Sequence, residues 1–367
     1  MIADQVGTKR MKHSILLALA IAATLASCKK DDDPDPTPTP TGDLQRDILT
    51  HFSGGIAEDL YTDLASLTVA LETSITTFQG SLVQGDLDAT RAAWRNARHT
   101  WEQSEAHLFG PVSTANYDPR MDTWPVNYVD LEAILSSSDV LDAAYVSALE
   151  DALKGFHPIE FLLWGADGNK LPADFTAREF EFLNALTADL NALTGALAQS
   201  WDPNVNGNFH EDFETAGTGS TTYTTKLAAF EELVNGMAGI CEEVAGGKIS
   251  EPFLAQDPTL EESPFSQNSL TDFTNNIRGV ENVYLGRFNS NGYGVEDLVR
   301  EHDLQLDGEI KTRVAAAIQA LNIISVPFGE AIISQPVQVQ NAIDAIENLE
   351  SILSNELMAL VQLHVTD

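Results

Sequence analysis

Apolar side chains recur every three or four residues through most of this chain, the spacing that gathers them on one face of an α-helix. Leu60, Leu64, Leu67, Leu71, Ile75 and Phe78 form the clearest stripe and predict a long first helix from near Leu44 to Gly80. Further helices are predicted over 87–108, 126–136, 140–153, 158–164 and 176–200. Between Trp201 and Thr222 the pattern gives way to turn signals, Asp202-Pro203-Asn204, Asn206-Gly207-Asn208 and Gly217-Thr218-Gly219-Ser220. It resumes over 223–246, 268–287, 294–303, 305–325 and 338–364, with Ile346, Leu349, Leu353, Leu357 and Leu360 as the last stripe. Alternating β-branched positions are scarce, so the expected class is all-α. Each half supplies about four substantial helices, enough to close a bundle. The expected architecture is therefore two bundles packed side by side, 44–204 and 205–367, with no evident repeat between them.

The N-terminus carries different information. Lys12 followed by an apolar run from Ile15 to Leu25 has the layout of a secretory signal and is too short to span a bilayer. Met11 is an alternative start, since residues 1–10 lack targeting character. The run ends in Leu25-Ala26-Ser27-Cys28, which resembles a bacterial lipobox. That implies removal of 1–27 and a lipid on Cys28; the plain alternative is an ordinary cleaved signal with an incidental cysteine. Residues 28–43, acidic and then rich in alternating Pro and Thr, cannot bury a core and read as an extended tether. The acidic run behind Cys28 resembles the surface-export signal of lipoproteins of the Bacteroides and flavobacterial group. The expected location is thus the outer membrane, facing the periplasm or displayed on the cell surface.

Charge narrows the partners. The chain carries 20 Lys and Arg against 55 Asp and Glu, and without residues 1–27 the balance is 17 against 54, or −37. Nucleic acid and anionic lipid headgroups would be repelled, whereas cations would be attracted. Solubility of an exported protein accounts for the same charge without any cation. Beyond Cys28 the only cysteine is Cys241, so there is no disulfide framework, and Met237-Ala238-Gly239-Ile240-Cys241 reads as a helical core segment.

Polar residues inside apolar stripes are the candidate chemistry. Gly155-Phe156-His157-Pro158-Ile159-Glu160-Phe161-Leu162-Leu163-Trp164-Gly165 sets an imidazole and a carboxylate three apart at the start of an otherwise apolar helix. Pro is favoured at the first helical position, which predicts His157 as the N-cap and places His157 and Glu160 on one face. Over 87–108, Arg98 and Glu105 share a stripe with Trp94, Trp101 and Leu108. Charges are rarely buried without partners, so this stripe faces a polar interior, or the two form an ion pair that only staples the bundle. Asp122 and Trp124 fall in a predicted loop, where Trp124 reads equally as a hydrophobic plug. Glu261-Glu262-Ser263-Pro264-Phe265-Ser266 leads into a helix on which Ser269 and Asp272 fit a capping box, and Asn276 lies on its inward stripe. His51, His99, His107, His210, His302 and His364 have no ligand spacing and read as surface or internally satisfied residues.

Gly155-Phe156-His157-Pro158-Ile159-Glu160 resembles the Gly-x-His-x-x-Glu signature of the imelysin-like proteins. The stretch Trp94–Pro111, the Trp124-Pro125 pair and the segment Ser263–Gly286 resemble that family's other blocks, in the expected order. The resemblance implies an all-helical fold of two bundle-like domains with the signature near their interface. It further implies an exported protein of bacterial iron acquisition, in a family historically classed with peptidases, and His157 and Glu160 as a metal-binding pair. Two ligands do not make a site, so Glu105 and Asp122 are added as further oxygen donors. Arg98, Trp124, Ser263, Ser266 and Asn276 are expected to line the ligand.

Three functions follow as alternatives. Histidine with carboxylates suits iron or zinc, as a free ion or an iron chelate, and ligand type selects neither. Partner proteins of an uptake system are then expected. A zinc peptidase of the common kind needs a second histidine four residues away, which the order His-Pro-Ile-Glu-Phe lacks, so no catalytic residue is assigned. The third alternative is structural or binds another ligand: a helix N-terminus disfavours a cation, and without nearby carboxylates Glu160 would bond back to the His157 amide as a capping box.

Overall fold

The first apolar stripe becomes a nearly continuous helical segment in the computed structural model, which describes residues 41–367. The signal segment 1–27, the Cys28 anchor and the tether as far as Pro40 lie outside the described residues. Helix α1 (Leu44–His51) is capped by Asp43, whose carboxylate accepts the Arg46 amide at 3.1 Å, and a π-helical stretch, Phe52–Glu58, joins it to α2 (Asp59–Ser81). Leu60, Leu64, Leu71, Ile75 and Phe78 are fully buried. Leu67 is only half-buried, because Thr68 takes the inward position and shares a hydrogen bond with the Thr194 hydroxyl at 2.8 Å.

The remaining helices of the first half are α3 (Gln84–Ser104), α4 (Pro111–Thr114), α5 (Tyr117–Asp122), α6 (Tyr128–Ser136), α7 (Ala143–Ser147), α8 (Phe156–Trp164) and α9 (Ala177–Trp201). The helix predicted over 140–153 is shorter than expected, since Asp142 caps α7 and extended backbone at Glu150 separates it from a 3-10 turn, Asp151–Leu153. Helix α10 (His210–Glu214) forms inside the turn-rich connection. Then follow α11 (Lys226–Glu242), α12 (Ser250–Ala255), α13 (Ser269–Leu285), α14 (Val295–His302), α15 (Leu304–Ile323), α16 (Phe328–Ser334), α17 (Pro336–Ile352) and α18 (Met358–His364). Two of the long predicted helices, 223–246 and 338–364, are widened by π-helical stretches, Glu243–Ile249 and Leu353–Leu357. Among the described residues there is no strand, only an isolated bridge between Arg287 and Asn291, so the fold is all-α.

Helix α2 packs against α3 and α9, and α3 packs in turn against α13 of the second half. Glycine makes that last crossing close: a Cβ on Gly279 would lie 2.3 Å from the Gln103 carbonyl oxygen, and one on Gly236 of α11 would lie 2.5 Å from that of Ala106. Side-chain amides reinforce it, with Gln103 donating to Asn275 at 3.0 Å. The C-terminal turn of α3 is thereby pressed into the second half, and the polar residues of its stripe meet those of α13.

Candidate functional site

Gly155 is where the site begins. Its φ of +82° is a conformation that only glycine adopts without strain, and a Cβ there would sit 2.1 Å from the carbonyl oxygen of Met121. The backbone before α8 therefore lies directly on that of α5, which brings Asp122 beside His157. Helix α8 starts at Phe156 with Gly155 as its N-cap, earlier than the His157 cap and Pro158 first position predicted above. Asp122 is the last residue of α5 rather than a loop residue.

The side chains converge from five segments, α3, α5, α8, α13 and the stretch that carries Glu262 and Ser266. His157 Nδ1 lies 3.3 Å from Glu160 Oε2, and its Nε2 lies 3.1 Å from Asp122 Oδ1 without the angle of a hydrogen bond. Glu160 does not cap its own helix: its Oε1 accepts from both the amide and the hydroxyl of Ser266, each at 2.7 Å. Asp122 is held by Arg98 Nη1 and by the Trp101 indole N–H at 2.6 Å. Arg98 also pairs with Glu102, with Glu262 at 2.8 Å and, at 3.8 Å, with Asp272. Trp124, half-buried on the cis Trp124-Pro125 peptide, stands with Glu262 and Phe265 around a narrow cleft above His157.

From the second half, Lys248 donates to Glu105 and Glu262, both at 2.8 Å. Asn276 donates to Glu102 Oε2 and Glu105 Oε2 at 2.7 Å each. Ser263 donates to Asp272 at 2.6 Å. The capping box expected of Ser269 and Asp272 does not form; the Ser269 hydroxyl turns to Glu261, and Asp272 turns inward toward Arg98. All nine residues singled out in the sequence, His157, Glu160, Glu105, Asp122, Arg98, Trp124, Ser263, Ser266 and Asn276, thus line one connected polar region.

Sequence reasoning did not single out Glu102, Lys248, Glu262 or Asp272 as site residues. Glu102 was within reach, being four residues from Arg98 on the same helix. Asp272 was within reach in the same way, four residues before Asn276, whereas Glu262 and Lys248 carry no periodic signal pointing inward.

This region is acidic and buried. Glu102, Glu105, Asp122, Glu160, Glu262 and Asp272 are all buried, against the buried cations Arg98 and Lys248. Burial pushes Glu102 and Glu105 well above the usual carboxylate range, and their like-charged neighbours add to it. Asp272 is pushed up to about 7 by burial, only partly offset by Arg98. Burial opposes ionisation of Asp122 as well, yet Arg98 and His157 outweigh it and hold this carboxyl below its ordinary range. His157 is raised to about 9, since Asp122 and Glu160 more than offset its desolvation. Six carboxyls thus meet three basic groups, Arg98, Lys248 and His157, and burial keeps protons on Glu102 and Glu105.

Two overlapping groups of ligand atoms each lie within 4.8 Å of one another: Asp122, His157 and Glu262, and Glu102, Glu105, Asp122 and Glu262. His157 Nε2, Glu262 Oε2 and Asn276 Oδ1 are buried without a hydrogen-bond partner. Buried polar atoms in this state call for a ligand or water. A hard or borderline cation fits a donor set of one imidazole and several carboxylates.

Comparison with known proteins gives consistent results. The family model for imelysin, peptidase M75, matches residues 57–355. Iron-regulated protein A of Synechococcus elongatus is 32% identical over 309 residues, covering 82% of this chain and 83% of that protein. Among solved structures, a putative iron-regulated protein A precursor from Parabacteroides distasonis superposes with a TM-score of 0.78 at 26% identity, covering 91% of this chain and 98% of that one. An imelysin-like protein from Psychrobacter arcticum gives a TM-score of 0.70 at 12% identity over 90% of this chain and 100% of that one, a likeness of fold.

Proposed function

The chain belongs to the imelysin family, and from that premise we propose that it is an exported lipoprotein of iron acquisition that binds a metal ion or iron compound through His157, Asp122 and Glu262. The observation that carries the reading is the convergence of one imidazole and four buried carboxylates whose ligand atoms form two overlapping groups within 4.8 Å. A cation entering there replaces the protons that burial and neighbouring charges hold on these acids and on His157. The relative named iron-regulated protein A supports iron, or a chelate of it, as the cargo.

The surrounding residues fit a binding role. Once His157 gives up the proton that its raised pKa holds, Nδ1–H facing Glu160 leaves Nε2 free to ligate, the arrangement usual for a ligating histidine. Ser266 fixes Glu160, and Trp101 with Arg98 fixes Asp122, so both carboxylates are oriented before a cation arrives. Glu105, proposed from the sequence as a ligand, is engaged by Lys248 and Asn276 in the second acidic group. The peptide-cleaving alternative needs a groove that admits a polypeptide backbone, whereas His157, Asp122 and Glu262 are all buried.

The N-terminal signals support a lipid anchor on Cys28 and an outer-membrane position, facing the periplasm or the medium, with partner proteins of an uptake system. The division into bundles 44–204 and 205–367 belongs to the same proposal, as does the exclusion of nucleic acid by a net charge of −35. Equilibrium dialysis of residues 28–367 against zinc(II), and against iron(II) without oxygen, tests the reading. One equivalent is expected to bind, with affinity at least tenfold weaker in His157→Ala. Equal uptake by the variant would remove the proposed role, and metal-dependent cleavage of casein abolished in Glu160→Gln would restore the peptidase.

A further inference from the structure

Lys248 is the one group in this cluster that metal binding leaves unexplained. It sits in the π-helical stretch Glu243–Ile249, a local widening often found at functional sites, and its ammonium is buried among acids. Nζ lies 2.8 Å from Glu105 Oε2 and from Glu262 Oε1, 3.7 Å from Glu102 Oε2 and 3.8 Å from Glu243 Oε1. Three of these acids, with Asp122, make up the second group whose oxygens could hold a cation. The ammonium therefore lies against three of the four acids of this carboxylate nest. Buried Glu262 Oε2, on the same carboxylate that Lys248 engages through Oε1, is left without a hydrogen bond.

We propose that Lys248 is a tethered counter-ion that competes with metal cations for the nest of Glu102, Glu105, Asp122 and Glu262. Carboxylate bonds to divalent cations run about 2.0–2.6 Å, so a cation in the nest would take the space and the oxygens that the ammonium holds. The two cannot be in place together. Because the nest shares Asp122 and Glu262 with the His157 group, the position of Lys248 sets both how many cations enter and how tightly the first is held. Arg98 pairs with the other side of the nest, Asp122, Glu102 and Glu262, whereas Glu105 is paired with Lys248 and not with Arg98.

This inference rests on the metal-binding reading, and Lys248→Met tests it separately. The variant keeps an unbranched stem and removes the charge. In dialysis against zinc(II) or anaerobic iron(II), it is expected to bind a second equivalent, or the first at least tenfold more tightly than the parent protein. Unchanged or weaker binding in a folded Lys248→Met, while the parent binds through His157, would overturn the counter-ion and leave the function intact. Binding that appears only in the variant would support the counter-ion and refute the proposed function. Absence of binding in both would refute the two together. Should Lys248→Met not fold, the pair Lys248→Met/Glu102→Gln preserves the charge balance. It is expected to bind at least tenfold more tightly than Glu102→Gln alone, and equality of those two variants overturns the proposal.

Discussion

Glu160 and Ser266, 106 residues apart, are joined twice, by the amide and by the hydroxyl of Ser266 to one oxygen of the carboxylate. The loop that delivers Glu262 and Ser263 is pinned by this contact to the helix that delivers His157. Loss of one hydrogen bond to a buried charged group costs about 1.5–3 kcal/mol. Ser266→Ala is expected to lower unfolding stability by that amount in urea titration, with an unchanged slope, and a loss below about 0.5 kcal/mol would show the hydroxyl to be incidental.

Gly155→Ala places a Cβ against the Met121 carbonyl and forces a side chain onto a φ of +82°. The combined strain is on the order of 3 kcal/mol. Because Met121 precedes Asp122, metal affinity is expected to fall along with stability. Gly239→Ala is the control: a Cβ there would meet nothing within 4 Å, and on the exposed side of α11 it should stabilise the helix by about 0.5–1 kcal/mol. Equal melting temperatures for the two variants would contradict the close approach at Gly155.

Asn276 supplies neutral donors to two acids, Glu102 and Glu105. Asn276→Asp keeps its shape and removes the amide donors to Glu102 and Glu105, at an expected cost of about 1–3 kcal/mol. Thermal unfolding at neutral pH should show a clear drop, and an unchanged melting temperature would mean that the amide donors are incidental.

His107 gives a pH-dependent prediction away from the acidic cluster. It is fully buried beside Phe52, Tyr61 and Phe109, and neither ring nitrogen has a hydrogen bond, unlike the satisfied residue expected from the sequence. Burial lowers its pKa from 6.5 to about 3. The unfolded chain therefore binds the proton first, and stability is lost as the pH falls below 6.5 toward 3. At pH 5 this amounts to about 2 kcal/mol. His107→Phe should recover that loss at pH 5 and differ less at pH 8; parallel pH profiles for the two proteins would exclude His107 as the source.

Much of the fold was legible because burial of one helical face writes a period into the sequence, as at Leu60, Leu64, Leu71, Ile75 and Phe78. Arg98 and Glu105 were legible for the same reason, as charges on an apolar stripe. Glu262 was not, since it reaches the site from a segment without regular structure, where no period links position to direction. Lys248 follows two glycines near a predicted helix end, which suggests a surface; the π-helical stretch turns it inward. Asp272 fitted a cap with Ser269 and instead accepts from Ser263 and Asn268, with the Arg98 guanidinium of α3 at 3.8 Å. Local pattern sets which face is buried, whereas tertiary partners decide what each polar residue does.

Anomalous scattering from crystals of residues 28–367 soaked in zinc(II) tests the central claim most directly. The account predicts one strong peak bonded by His157 Nε2 together with Asp122 and Glu262, and its loss in His157→Ala. Crystals that show no peak at these residues, or a peak elsewhere that persists in the variant, would contradict it.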